Sequence, residues 1–283
     1  MKLATESVEP LAARASAPSL NGELPPRSAP TESRRLELFG IPIEVADPPE
    51  ILRTILSWGR GATAHGVMRV NPRVVNTSRR LPELRRALGS ADLVYCDSVG
   101  VRLAARALEL PVPPRMTPAE WVWDLAASCA SSARSLYLVG AEPPLARQAA
   151  ARLTRRNPDL HIAGAYHGYA DAESPQNLRL IEDINTKRPD IVLVGMGTPK
   201  QELWSTRYAA ELDVNVVWTV GGVFDAIAGR ARRPGRILAG NGPEWMLRLA
   251  IERQRALRRH LVGNAAFASH VMAEARRRRA ASR

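Results

Sequence analysis

At 283 residues the chain is long enough for one large domain or two smaller ones around a substantial core. Its hydrophobic share of 45% and charged share of 24% are those of a soluble globular protein, and no segment approaches the ~20 consecutive apolar residues of a membrane span. The net charge of +12 is unevenly placed: between Arg230 and Arg283 fourteen arginines stand against three glutamates (Glu244, Glu252, Glu274), so any polyanion binding belongs to one end. Two cysteines, Cys96 in an apolar run and Cys129 in a helical pattern, lack metal-type spacing and read as reduced buried thiols. The N-terminus has no signal-peptide apolar region, so a cytoplasmic protein touching the membrane only peripherally is expected.

Residues 1–34 mix Pro, Ser, Ala and charge without periodicity and predict a disordered leader. An extended stretch at 36–45 leads to a helix at 48–58 and a strand at 66–70. Asn71-Pro72 then opens a helix running to about 88. The apolar run 91–96 is a buried strand ending in Asp97-Ser98-Val99-Gly100, which opens a helix to about 108. After the prolines of 111–114 a helix spans 118–131. The alternation continues with strands at 135–140, 161–165, 191–195 and 215–220, and helices at 144–156, 174–186 and 199–212. From residue 243 the pattern is helical and Arg-rich.

Strands alternating with helices of this length predict an α/β fold: a Rossmann-like parallel sheet with helices on both faces, plus an Arg-rich helical C-terminal appendage. The expected division is a leader (1–34), a core (35–240, in halves 35–132 and 133–240) and a basic appendage (241–283). Ligands of such sheets sit beyond the carboxyl ends of the strands, where Asn71, Asp97, Gly140, Gly195 to Gln201 and Gly221-Gly222 all fall.

Each of these positions has two readings. Asp97 suits a general base made more basic by partial burial, and equally an N-cap for the helix beginning at Ser98. In the stretch 189–202, Thr198 as N-cap, Pro199 at the first helical position and Gln201 three residues after the cap spell a capping box, which would explain Gln201 without a ligand. Lys200 and Glu202 are by default solvated first-turn residues. The paired Gly221-Gly222 admits close approach of a phosphate or only a tight strand-to-helix turn. Nucleotide motifs fail, because Gly195-Met196-Gly197 lacks the third glycine of G-x-G-x-x-G and Lys200 has no P-loop before it. Five scattered histidines (His65, His161, His167, His260, His270) form no metal set, and no D-x-D pair suggests a catalytic cation. In the appendage Arg248, Arg255 and Arg258 share one helix face, suited to phosphate oxygens or simply to solvent, with Trp245 placed for a membrane interface.

Four blocks together, PDIVLVGMGTPKQE (189–202), GGVFDAIAG (221–229), EWMLRL (244–249) and the arginine pattern of 252–258, resemble the WecG/TagA/CpsF family of bacterial glycosyltransferases over about residues 38–259. The resemblance implies transfer of a sugar from a UDP-sugar, often N-acetylmannosamine or its uronic acid or a related hexose, to a polyprenyl-diphosphate-linked sugar at the cytoplasmic membrane face. Inversion at the anomeric carbon, no metal and no cofactor go with it. It makes Asp97 the base and draws the donor site from Asn71, Gly140, Gly195, Gly197, Lys200, Gln201, Glu202, Gly222, Phe224 and Asp225. The acceptor or diphosphate site would use Arg248, Arg255 and Arg258, and the basic end would lie on anionic lipid. Departures are Arg69 where the family has Thr in T-x-N, Ser98 for the Gly of D-G, Arg115-Met116-Thr117-Pro118-Ala119-Glu120 for R-x-x-G-x-D, and Arg253 for Pro. The competing reading is a lipid- or polyanion-binding module on an inert scaffold; no specific nucleic acid is expected, and homo-oligomerisation is left open.

Overall fold

The structure is a computed structural model that describes residues 35–168, 174–229 and 254–281, with side chains of the last helix described over 263–280. The predicted leader and residues 241–253 of the predicted appendage, with Trp245 and Arg248, lie outside the described residues, as do the side chains of Arg255 and Arg258.

The extended stretch at 36–45 folds into a hairpin rather than one strand. Its strands β1 (Arg35–Leu38) and β2 (Ile41–Glu44) are antiparallel, and Phe39 and Gly40 between them both take positive φ, as two-residue hairpin loops require. Alternation sends Leu36, Leu38, Ile41 and Ile43 inward. Then come α1 (Pro48–Ser57), β3 (His65–Val70), α2 (Pro72–Ser78), α3 (Pro82–Ser90), β4 (Leu93–Cys96), α4 (Val99–Ala107) and α5 (Pro118–Ser131). The single helix predicted to run to residue 88 is two helices. Leu81 precedes Pro82 and is held extended (φ −125°, ψ 96°), because the proline ring disfavours helical backbone in the residue before it. The chain continues through β5 (Ser135–Gly140), α6 (Leu145–Arg156), β6 (His161–Tyr166), α7 (Pro175–Lys187), β7 (Ile191–Gly195), α8 (Lys200–Tyr208), β8 (Val216–Thr219) and α9 (Val223–Ile227), and α10 (Gln254–Ala281) closes it.

Strands β3 to β8 form one parallel sheet in the order β4-β3-β8-β7-β5-β6. Both faces are covered, which is why β4, β5, β7 and β8 are buried along their whole length and mostly apolar. Leu136, Leu138, Leu193 and Trp218 point into a core shared with α1, α5, α6 and α9. On the opposite face Tyr137, Val139, Val192 and Val194 meet α7 and α8, while Met68, Val70, Val94 and Cys96 meet the hairpin and α2 to α4. Trp121 stacks on Trp218 with ring centroids 3.9 Å apart.

Helix α10 docks on that second face. Phe267 and Val271 are buried in its core, Phe267 meets Phe39 edge-on, and Asn76 Nδ2 donates to the Gly263 carbonyl at 2.6 Å. Its last turns expose Arg276, Arg277, Arg278 and Arg279.

From β7 the chain crosses to β8 on one side, and from β5 to β6 on the other. Loops leaving adjacent strands in opposite directions open a crevice at their carboxyl ends. Gly140 and Gly195 meet at this point: a Cβ on Gly140 would come within 2.5 Å of the Gly195 backbone, and the Ala141 N–H donates to the Gly195 carbonyl at 3.1 Å.

Candidate active site

The register of β3 against β4 builds the first half of the site. Arg69 lies opposite Tyr95, and residue 97, two positions further along, projects on the same side of the sheet. A charge near the end of an apolar strand needs a partner, since an unpaired buried charge is very costly. Arg69 finds it in Asp97, with Nη1 on Oδ2 and the two side chains 18% and 5% exposed. Burial alone would lower the pKa of Arg69, but the charges of Asp97, Tyr95 and Glu202 and the bond to Asp97 together outweigh it and hold the guanidinium above its usual value.

Asn71 joins the same oxygen. It caps α2, its Oδ1 accepting from the Val74 N–H at 3.0 Å, and its Nδ2 points to Asp97 Oδ2 at 3.4 Å. Asp97 Oδ1 has no hydrogen-bond partner among the described residues. Ser98, not Asp97, caps α4, its Oγ accepting from the Val101 N–H at 3.3 Å. That removes the capping reading of Asp97, because the serine standing at the D-G glycine supplies the cap. The Met116 N–H donates to the Cys96 carbonyl at 2.8 Å, which brings neighbouring Arg115 over the end of β4.

The second half corrects the predicted capping box. Helix α8 begins at Lys200 with Pro199 in the cap position after a cis Thr198–Pro199 bond, and Gln201 turns inward instead of back to Thr198. Its Oε1 accepts from the Gly197 N–H at 3.2 Å and the Gly221 N–H at 3.0 Å, tying together the loops after β7 and β8. Its Nε2 donates to Glu202 Oε1 at 2.7 Å, where the Thr198 hydroxyl also donates at 3.0 Å.

Glu202 is therefore no solvated first-turn residue. Burial raises its pKa, bonds from Gln201 and Thr198 and the charge of Arg69 oppose the rise, and its buried Oε2 has no hydrogen-bond partner among the described residues. Lys200 is likewise engaged, donating to the Gly168 carbonyl at 3.0 Å.

Of the predicted site residues, the structure brings Asp97, Asn71, Gly140, Gly195, Gly197, Lys200, Gly222 and Asp225 to one edge of the sheet. Gln201, Glu202 and Phe224 stand behind that edge, each with 0% exposure, and the Phe224 ring fills the space a side chain on Gly195 would need. Two residues were not among the candidates. Arg73 reaches from α2 to the Thr198 carbonyl at 3.4 Å, and Arg69 had been noted only as a departure from a pattern. A lone charge in the run H-G-V-M-R-V was the signal that it needed a partner.

Among the described residues no group of three or more His, Cys, Asp or Glu is arranged to hold a metal ion. Burial pushes the Cys96 and Cys129 thiols up to about 12, so neither is a nucleophile near neutral pH. No helix among the described residues is long and apolar enough to cross a membrane.

The Arg69–Asp97 pair at β3 and β4 and the glycine loops after β5, β7 and β8 all lie at the carboxyl ends of the strands, where open parallel sheets bind their ligands. The chain belongs to the glycosyl transferase WecG/TagA/CpsF family, whose model matches residues 36–281, and it is a glycosyltransferase. Over 227 residues, covering 80% of this chain and 88% of the relative, it is 23% identical to the N-acetylglucosaminyldiphosphoundecaprenol N-acetyl-beta-D-mannosaminyltransferase of Staphylococcus aureus strain NCTC 8325 / PS 47. The enzymes of the same name from strains MRSA252 and MW2 are 24% and 23% identical over the same shares.

Proposed function

We propose that the protein transfers an N-acetylmannosamine-type sugar from a UDP-sugar to a polyprenyl-diphosphate-linked N-acetylglucosamine, with inversion and without a divalent cation, in cell-envelope polysaccharide synthesis. The names of its relatives support the sugar and the lipid-linked acceptor. One observation carries the reading: Asp97 has Oδ2 held by Arg69 and Asn71 while Oδ1 is left to take a proton.

In this mechanism the acceptor hydroxyl gives its proton to Asp97 Oδ1 as it attacks the anomeric carbon, and UDP departs from the opposite face. A positioned base contributes ~10²–10⁴-fold. The donor lies over the glycine loops at Gly140, Gly195 and Gly197 and beside Lys200, Gly222 and Asp225. Gln201 acts from behind, since its Oε1 fixes the loops at Gly197 and Gly221. Because those two N–H groups are used by Gln201, the charge of the departing diphosphate falls to arginines: Arg73 at the crevice and Arg248, Arg255 and Arg258 from the C-terminal region. The exposed arginines at the end of α10 attract anionic lipid and keep the enzyme at the surface that holds its acceptor.

Incubation with UDP-N-acetylmannosamine and a short polyprenyl-diphosphate N-acetylglucosamine, with chelator present, tests this. The lipid-linked disaccharide is expected. Absence of transfer from every member of a UDP-sugar panel would overturn the proposal.

A further inference from the structure

We propose that Arg69 is a positioning residue for the base: it ties one oxygen of Asp97 and turns the other towards the acceptor. The inference rests on the reading of Asp97 as the base.

Both described donors to Asp97, the guanidinium of Arg69 and the amide of Asn71, converge on Oδ2. Two donors on one oxygen fix the plane of the carboxylate, and Oδ1 inherits a single direction. Asn71 is itself fixed, because its Oδ1 is spent on capping α2.

The guanidinium lies against Gly221, where a Cβ would meet Nη2, and Gly221 is held in turn by Gln201 Oε1. Arg69 thus stands between the base and the glycine loop after β8. Its Nε is buried with no partner among the described residues. A pair kept only for stability would not strand a donor in this way, since buried donors are nearly always matched.

Tyr95 and Cys96 on β4 are kept neutral by burial, and Arg102 and Arg115 act on the Cys96 side. Glu202 on α8 interacts with Arg69 from the other side. Among the described residues Arg69 is the cation paired with Asp97. A threonine at this position would offer one hydrogen bond and no charge.

The test is single-turnover transfer by full-length wild type, Arg69→Thr, Arg69→Lys, Asp97→Asn and the double variant of Arg69→Thr with Asp97→Asn, using UDP-N-acetylmannosamine and the lipid-linked N-acetylglucosamine, with donor affinity measured on each. In Arg69→Thr the rate falls at least ~10-fold while donor affinity changes little, because the free oxygen of the base is no longer aimed. Arg69→Lys keeps a donor but not the planar fork, and falls between the two. A residue that acts through Asp97 has nothing left to lose once the base is gone, so Arg69→Thr lowers the rate no further in the Asp97→Asn background. A wild-type rate in Arg69→Thr overturns the assignment, as does a second fall of the same size in the double variant. Should Arg69→Thr not fold, Arg69→Lys, alone and combined with Asp97→Asn, decides in the same way. If Asp97→Asn turns over like wild type, the base reading fails and this proposal with it; if it is slowed while Arg69→Thr keeps the wild-type rate, only the role of Arg69 fails.

Discussion

Replacing Gln201 by alanine should destabilise the whole sheet edge, not merely weaken donor binding. The side chain is fully buried, and its Oε1 is the acceptor for the N–H groups of Gly197 and Gly221. Alanine removes that acceptor and leaves both N–H groups stranded, each at a cost of about 1–3 kcal/mol. Glu202 Oε1 loses one donor but keeps the Thr198 hydroxyl. The sum is roughly 2–6 kcal/mol, against a typical total stability of about 5–15 kcal/mol. For a protein of this size each kcal/mol moves Tm by about 2–4 °C, so a fall of roughly 5–20 °C is expected in thermal melts followed by circular dichroism. UDP binding by calorimetry, measured well below the new Tm, should weaken as well, because the two loops are no longer tied. A Tm within about 3 °C of wild type would refute the reasoning, since it would mean that the loops hold their positions without the amide.

Glu202→Gln should change how stability depends on pH. Burial raises the pKa of Glu202 in the folded protein above its ordinary value of 4.5, so the native state holds this proton more tightly than the unfolded chain does. Its contribution is therefore complete below about pH 4.5 and is lost as pH rises through the raised folded value. Denaturant titrations from pH 4 to 8 should show a shallower fall for the glutamine variant than for wild type; parallel curves would contradict this. Gly221→Ala places a Cβ against the Arg69 guanidinium at a residue with φ +61°, so the guanidinium must shift relative to Asp97. Turnover should fall at least ~10-fold with a backbone cost of about 1–2 kcal/mol, and wild-type turnover would count against the boxed position of Arg69. Replacing Arg276, Arg277, Arg278 and Arg279 together by glutamine should cut sedimentation with anionic vesicles by at least ~100-fold, at about 1 kcal/mol per charge. Unchanged sedimentation would remove the membrane role from this end. Truncation before α10 is a poorer test, because Phe267 and Val271 are part of the core.

Much of the fold could be read from apolar runs and their punctuation. The strand Ile191–Gly195 and the helix Pro118–Ser131 fall where the pattern places them, since a buried parallel strand ending in glycine and a proline-started helix carry their own boundaries. The order of strands is not a local property, and neither is the partner of a buried charge. The chain announces that Arg69 needs an anion but not that parallel register will supply Asp97. Gln201 shows the opposite failure: the capping box is a sound local solution, yet joining the loops after β7 and β8 satisfies two N–H groups that are distant from each other in sequence. Asp97 reads from the sequence as a base or as the cap of the following helix, and only the geometry assigns the cap to Ser98.

Single-turnover sugar transfer by Asp97→Asn tests the central claim most directly, with UDP-sugar affinity measured on the same preparation. The account predicts a rate ~10²–10⁴-fold below wild type at unchanged donor affinity, because asparagine keeps the shape of the site and cannot accept the proton. A variant that transfers sugar at the wild-type rate would contradict it.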